Sequence, residues 1–163
     1  ISVSGGKLTT FRQIAQDVLT AAETWLPSLK GRDQKSTIFT NPTTALATPF
    51  SGEQYRRFVG KYGYLSQKFL AEMPVDELKI IPETQTLWAE LRWALRYEQV
   101  VHLDDLLLRR TRIGLLLKEG GAAHFDSIKQ IALSEGWTEE KWNAEQVRYS
   151  AIWQHYYSLP AGV

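Results

Sequence analysis

The chain has 163 residues, a size that suits one domain with room for a buried core. Its 44% hydrophobic and 23% charged residues match an ordinary globular balance, and 19 basic against 18 acidic residues leave a formal charge of +1. That near-neutrality provides no global field for nucleic acid or an acidic membrane. The absence of cysteine removes disulfides, thiolate nucleophiles and thiolate metal ligands, and fits a reducing compartment.

No apolar run approaches the roughly 20 residues that cross a bilayer, and Ile1 to Thr10 lacks the apolar core of a secretory signal. Ile1-Ser2-Val3 reads as the end of a strand running into Gly5-Gly6, so the chain is expected to start inside a longer polypeptide. From Leu8 to Leu26 the apolar residues Leu8, Phe11, Ile14, Ala15, Val18, Leu19, Ala22, Trp25 and Leu26 recur at helical spacing, and Pro27 ends the run. Between Lys30 and Phe50 the periodicity vanishes. Connections inside compact domains are commonly about 4–6 residues, so this stretch reads as a linker or as a segment packed on a neighbour.

A second helix is expected after Ser51, whose hydroxyl can cap it, with Tyr55, Phe58, Val59, Tyr62, Leu65 and Phe69 on its apolar face. Gly60 and Gly63 are its weak points, and Met73-Pro74 stops it. Asp76 to Ile81 is ambiguous. After Pro82 a strong helix carries Leu87, Trp88, Leu91, Ala94 and Leu95. A break at His102-Leu103-Asp104 offers Asp104 as an N-cap, and a helix over Asp105–Lys118 ends at Gly120-Gly121. Another covers His124 to Glu135 and stops at Gly136. The last starts at Thr138, with Glu139 and Glu140 in its first turn, and carries Trp142, Val147, Tyr149, Ile152, Trp153 and Tyr156. The expected fold is all-α, with about five to six helices and a short N-terminal strand stub.

Two constellations can carry chemistry. In Gly5-Gly6-Lys7-Leu8-Thr9-Thr10, glycines let backbone N–H groups approach a ligand, and the first helical turn presents unpaired donors and the positive dipole end. Lys7 adds a formal charge. On pattern alone a glycine-rich turn with an exposed lysine is the more economical reading, and the spacing is not that of a Walker loop. The second constellation is Asp104 to Leu115, with Arg109, Arg110 and Arg112. On an α-helical wheel Asp105, Arg109 and Arg112 share a stripe, while Arg110 falls among Leu106, Ile113 and Leu117. Glu98 continues the stripe of Leu87, Leu91 and Ala94. A mostly buried Arg110–Glu98 pair, or a small network shared with Arg109 or another carboxylate, is therefore expected to join the two helices, with phosphate binding by the arginines as the alternative. His102, His124 and His155 lack metal-ligand spacing, so no metal is expected. The aromatic residues of the last helix read as core or interface.

Val3 to Arg12 resembles the Gly-Gly-Lys-Leu-Thr-Thr-aromatic-Arg motif that closes the FAD domain of FAD-dependent glycerol-3-phosphate dehydrogenases and oxidases. His102 to Gly114 resembles the Asp-Asp-x-Leu-x-Arg-Arg-Thr-basic-x-Gly segment of that family's C-terminal cap domain. The resemblance runs from residue 1 to about residue 157. It implies that residues 1–30 are the C-terminal edge of the FAD-binding domain, 31–52 a linker and 53–163 the helical cap. It further implies FAD as cofactor, oxidation of sn-glycerol 3-phosphate to dihydroxyacetone phosphate, and electrons passing to quinone or another acceptor such as oxygen. The implied setting is the cytoplasm, with a peripheral contact on the inner face of the cytoplasmic membrane and no nucleic-acid partner. By the resemblance, the backbone of Gly5, Gly6, Lys7, Leu8 and Thr9 approaches the flavin, Lys7 reaches toward substrate, and the chain by itself is inactive. The rival readings are a free-standing helical interaction module and a nucleic-acid binder using Arg109, Arg110 and Arg112.

Overall fold

Residues 1–26 and 48–159 are described by a computed structural model, whose contacts divide the chain into two units, Ile1–Thr40 and Asn41–Val163. In the first unit residues 1–7 have no regular structure, a 3₁₀ turn spans Leu8–Thr10, and helix α1 spans Phe11–Ala22. The expected strand stub is corrected here: a strand exists through its ladder, and residues 1–7 have no partner strand among the described residues. The predicted helix is present from Leu8 and relaxes into a turn after Ala22. No residue of the 3₁₀ turn or α1 is buried, although α1 is amphipathic. Pro27 and most of the expected linker lie outside the described residues.

The second unit is helical, with α2 over Gly52–Tyr62, α3 over Ser66–Glu72, α4 over Trp88–Tyr97, α5 over Ile113–Leu116, α6 over Phe125–Ser134 and α7 over Glu139–Tyr156. The all-α expectation holds: among the described residues there is no strand, only an isolated antiparallel bridge between Ile80 and Leu87. The helices outnumber the expected five to six because two predicted helices are broken. The first breaks at Gly63 (φ 52°, ψ −126°), where a 3₁₀ turn over Gly63–Leu65 separates α2 from α3. Ser51 occupies the N-cap position of α2 with extended backbone, but its side chain makes no capping bond.

The second break is in the predicted helix over Asp105–Lys118. Asp105–Arg110 forms a π-helical segment, and Thr111 then donates both its N–H (3.0 Å) and its hydroxyl (2.6 Å) to the Leu106 carbonyl. Arg112 is left-handed (φ 61°, ψ 12°) ahead of the short α5, and Glu119, Gly120 and Gly121 all have positive φ before α6. A π segment has more than 3.6 residues per turn, so stripes drawn on an α-helical wheel do not carry through it.

Two cores share α4 as a wall. Ala89 and Trp93 of α4 face an aromatic cluster of Phe50, Phe58, Tyr62 and Phe69, with ring centroids 4.6–5.8 Å apart. Leu91 and Ala94 belong to the larger core built on Leu103, Leu106, Leu107, Ile113, Ile128, Trp142 and Tyr149. Gly136 (φ 93°) ends α6, and Thr138 caps α7 by accepting the Lys141 N–H at 3.1 Å, as the sequence predicts. Polar clasps fix the packing. Arg92 donates to Glu77 (2.8 Å) and to Glu135, and Arg96 donates to Glu135 (2.6 Å), so α4 is bound to the end of α6.

Candidate functional site

The chemistry of the first turn starts with its glycines. Gly5 (φ 79°) and Gly6 (φ 110°) both lie where residues with a β-carbon rarely go. A methyl group on Gly5 would meet nothing within 4 Å, whereas one on Gly6 would lie 2.5 Å from Ile14 Cδ1. The backbone thus passes close to α1 at Gly6 and is open at Gly5. Lys7 returns to extended backbone (φ −123°, ψ 152°) and caps the 3₁₀ turn. Thr10 fastens it: its N–H and its hydroxyl both donate to the Lys7 carbonyl at 2.9 Å, and its hydroxyl oxygen accepts the Lys7 N–H at 3.2 Å.

These bonds use the Lys7 backbone but leave the N–H groups of Leu8 and Thr9 at the head of the turn, where a helix has no internal partner for them. Residues 1–10 are all exposed, Lys7 and its ammonium included, as expected. Two grooves, of about 480 and 620 Å³, flank the glycines. Ser2, Ser4 and Asp17 line the more polar one, and Phe11, Ala15 and Leu19 the more apolar one. Gly5, Gly6, Lys7, Leu8 and Thr9 therefore form one continuous exposed turn with free donors, an exposed cation and an apolar floor. Thr10, which ties Lys7 down, was not singled out by the sequence reading. Its signal was a Thr three residues after the cap position.

The arginine constellation is organised differently from the expectation. Arg109 donates to Asp104 and to Asp105 (2.9 Å), and Arg148 of α7 donates to Asp104. Asp104 is only 3% exposed. Burial works against its charge, but the hydrogen bonds from Arg148 and Arg109 outweigh that and hold its carboxyl below the usual range. Asp104 is therefore an interhelical ion-pair anchor and not a helix cap. Asp105 takes the nearby backbone instead, accepting the N–H groups of His102 (2.9 Å) and Val101 (3.2 Å). Glu145 of α7 accepts the Leu103 N–H at 2.9 Å and lies 2.8 Å from His102 Nδ1.

The predicted buried pair of Arg110 with Glu98 is not formed. Arg110 is exposed and Glu98 half-buried, with no hydrogen bond between them. The π segment rotates Arg110 off the apolar face. Glu98 senses Lys61 and Arg110 only at a distance; burial dominates and raises its pKa. The buried carboxylate on α4 is Glu90. It accepts Arg57 from two nitrogens (2.6 and 3.1 Å), Lys61 (2.6 Å), the Tyr62 hydroxyl (3.0 Å) and the Leu87 N–H (2.9 Å). Burial opposes its ionisation, yet the Arg57 bonds and the Lys61 charge keep its pKa low. Its position two residues into the helix, reaching back to the Leu87 N–H, was the available sequence signal.

Among the described residues no group of three or more His, Asp or Glu side chains could hold a metal ion, and no helix is long and apolar enough to cross a membrane. Of the three arginines, Arg109 is committed to carboxylates, so they do not act as one phosphate-facing cluster.

A family model described as the C-terminal domain of alpha-glycerophosphate oxidase matches residues 2–142. Among curated proteins the chain is 30% identical to a glycerol-3-phosphate dehydrogenase of Mycobacterium leprae, over 93% of this chain and 28% of that relative. It is 33% identical to glycerol-3-phosphate dehydrogenase 1 of Mycobacterium tuberculosis over 73% of this chain and 24% of the relative. To glycerol-3-phosphate dehydrogenase 2 of the same organism it is 26% identical over 93% of this chain and 28% of the relative. The chain thus spans about a quarter of the length of these relatives. No solved structure matches. A match over most of its length places both motifs in one frame, and the chain belongs to the family of the C-terminal domain of alpha-glycerophosphate oxidase.

Proposed function

We propose that this chain is the C-terminal part of an FAD-dependent sn-glycerol-3-phosphate dehydrogenase that forms dihydroxyacetone phosphate. Residues 1–30 belong to the edge of its FAD-binding domain, 31–52 are a linker and 53–163 are the helical cap. The observation that carries the proposal is the exposed Gly5-Gly6-Lys7 turn, followed by the free N–H groups of Leu8 and Thr9, in a chain of this family.

The residues present fit a flavin edge. Gly5 leaves open space where a β-carbon would intrude, and the apolar groove beside Phe11 and Ile14 suits a flat ring. Bound there, FAD supplies the hydride acceptor. The N–H groups of Leu8 and Thr9 and the backbone of Gly5 and Gly6 would hold the ring edge and favour negative charge there, a preorganised arrangement. The Lys7 ammonium meets a phosphate or carbinol oxygen of the substrate. The unburied apolar residues on either side of α1 are supportive, since Leu8 in the 3₁₀ turn is 89% exposed and Trp25 just beyond the helix 70% exposed, and such a surface calls for a covering domain. A reduced flavin there would pass its electrons to quinone or another acceptor, in the cytoplasm or against the inner membrane face.

The test is direct. Purified alone and mixed with FAD, glycerol 3-phosphate and an electron-accepting dye, the chain is expected to stay colourless and reduce no dye. Joined to the FAD-binding domain, it is expected to bind flavin and turn over. Turnover by the chain alone, or a joined protein that binds no flavin, would overturn the proposal.

A further inference from the structure

A cleft of about 550 Å³ in the second unit lies away from the Gly5-Gly6-Lys7 turn in sequence and composition. It is lined by Arg57, Thr86, Thr111 and Arg112, with Glu83 and Gln85. Its floor is built. Arg57 is locked by its two bonds to the buried Glu90 and a third, longer one to Thr86 (3.4 Å). Thr86 and Thr111 are both buried, and Thr111 is fixed by its hydroxyl bond to Leu106. An arginine held this way presents its remaining N–H donors without further loss of rotamer freedom.

The charge on the cleft is not balanced from within. Glu90 is shared by two cations, Arg57 and Lys61. Among the described residues the Arg112 side chain makes no ion pair or hydrogen bond, and it is exposed; its backbone carbonyl accepts the Leu115 N–H at 3.1 Å. Arg57 and Arg112 on the lining and Lys61 on the shared carboxylate stand against Glu83 and Glu90, so these five groups carry one uncompensated positive charge.

Two residues lining the cleft are also strained. Arg112 (φ 61°) and Glu83 (φ 63°) adopt left-handed conformations that residues with a β-carbon hold only when their surroundings impose them.

We propose that this cleft binds a small polar molecule that carries a phosphate or carboxylate beside hydroxyl groups. The anionic group lies between the guanidinium groups of Arg57 and Arg112, which match the geometry of an oxyanion. The Glu83 carboxylate and the Gln85 amide take the hydroxyls, which explains an acid in a cationic cleft. The exposed Leu115 and Leu116, also on its wall, cover the carbon skeleton.

The test uses the 163-residue chain and follows backbone amide shifts of Thr86, Thr111 and Arg112 by NMR at constant ionic strength, with inorganic phosphate, ribose 5-phosphate and malate as probes. One of the two organic anions is expected to saturate with a Kd of about 1 mM or tighter and to bind better than inorganic phosphate. Whichever wins identifies the headgroup. Arg112→Gly removes the guanidinium and suits the left-handed backbone, so the fold should hold while affinity falls at least tenfold. Absence of a saturable shift, equal binding of bare phosphate, or unchanged affinity in Arg112→Gly would each overturn the proposal.

Discussion

Arg57 grips Glu90 with two nitrogens, at 2.6 and 3.1 Å, across 33 residues of sequence, and Lys61 closes on the same carboxylate from one turn further along α2. The side chain of Glu90 is wholly buried, while Arg57 and Lys61 keep 24% and 31% of theirs in water. The pairing therefore ties α2 to α4 through a charge that has nowhere else to go.

Replacing Glu90 by Ala strands two cations and the Tyr62 hydroxyl. Breaking a buried pair costs about 3–5 kcal/mol, and the partial water access of Arg57 and Lys61 sets the expectation at the lower end, about 3 kcal/mol. Urea unfolding checks this, with the exposed Glu140→Ala as the control that should move by less than about 0.5 kcal/mol.

Glu98 should behave in the opposite sense. Burial raises its pKa, so the folded chain holds its proton more tightly than the unfolded chain does. The stability it contributes is complete below the unfolded pKa and is lost as pH rises through the folded one. At pH 7 the ionised Glu98 is thus a liability, and Glu98→Gln should raise Tm. The gain should vanish in acid, where Glu98 is already neutral. A fall in Tm at pH 7 would show that Lys61 and Arg110 hold Glu98 more firmly than its geometry indicates.

Acidification of the whole chain runs the other way. Asp104, Glu90 and Glu135 each have a pKa held below the usual carboxylate value; burial resists this, and the arginines hydrogen-bonded to each overcome it. A lowered folded pKa means stability that is complete above the ordinary carboxylate range near about 4 and lost as pH falls through the folded values. The urea midpoint should drop steadily between about pH 5 and pH 3, and Asp104→Asn should flatten that slope while lowering the midpoint at pH 7.

The glycines of the second unit separate by their surroundings. A methyl group on Gly114 would lie 2.3 Å from Tyr149 Oη and 3.2 Å from the Leu107 carbonyl oxygen, so Gly114→Ala forces either Tyr149 or the backbone aside. That Tyr149 hydroxyl donates to the Gly120 carbonyl at 2.7 Å, a bond the substitution would disturb. A loss of about 1–3 kcal/mol is expected. Gly60 lies inside α2 with nothing within 4 Å, and Gly60→Ala should stabilise the chain by about 0.5–1 kcal/mol. Thermal unfolding of the two variants gives shifts of opposite sign if the packing is as described.

Where local chemistry governs, the sequence was readable. Thr138 announced the start of α7, Gly136 the end of α6, and Gly63 the place where the second helix breaks. Reading failed where a tertiary demand altered the helical repeat. The π segment over Asp105–Arg110 moves Arg110 out to solvent and lets Asp104 reach Arg148, and neither effect has a signature in a 3.6-residue wheel. Glu90 was missed for a related reason: its wall of partners comes from α2, 28 to 33 residues earlier. At the candidate site the glycines and Lys7 were visible as a motif. The Thr10 clasp that shapes them needed coordinates to see.

Lys7 is where the proposed chemistry meets the fold most directly. It follows two glycines of positive φ, its backbone is clasped by Thr10, and its side chain is exposed at the head of a helix. The clasp uses only main-chain atoms of Lys7, so truncating the Lys7 side chain leaves it intact. Lys7→Ala should therefore change the stability of this chain by no more than about 0.5 kcal/mol, as for a surface change. In the enzyme that includes the FAD-binding domain, the same substitution removes a cation poised beside donors that already favour negative charge. Loss of one preorganised donor of this kind costs about 10²–10³ in rate, so kcat/KM for glycerol 3-phosphate should fall by about 10²-fold or more. Thr10→Val serves as the companion variant. It keeps the ammonium but removes the two hydroxyl bonds of the clasp, and it should lower kcat/KM by loosening the turn while flavin still binds. Steady-state kinetics of both variants, read beside their flavin absorbance, tests the assignment. Full activity in Lys7→Ala with a destabilised fold would make Lys7 a structural residue.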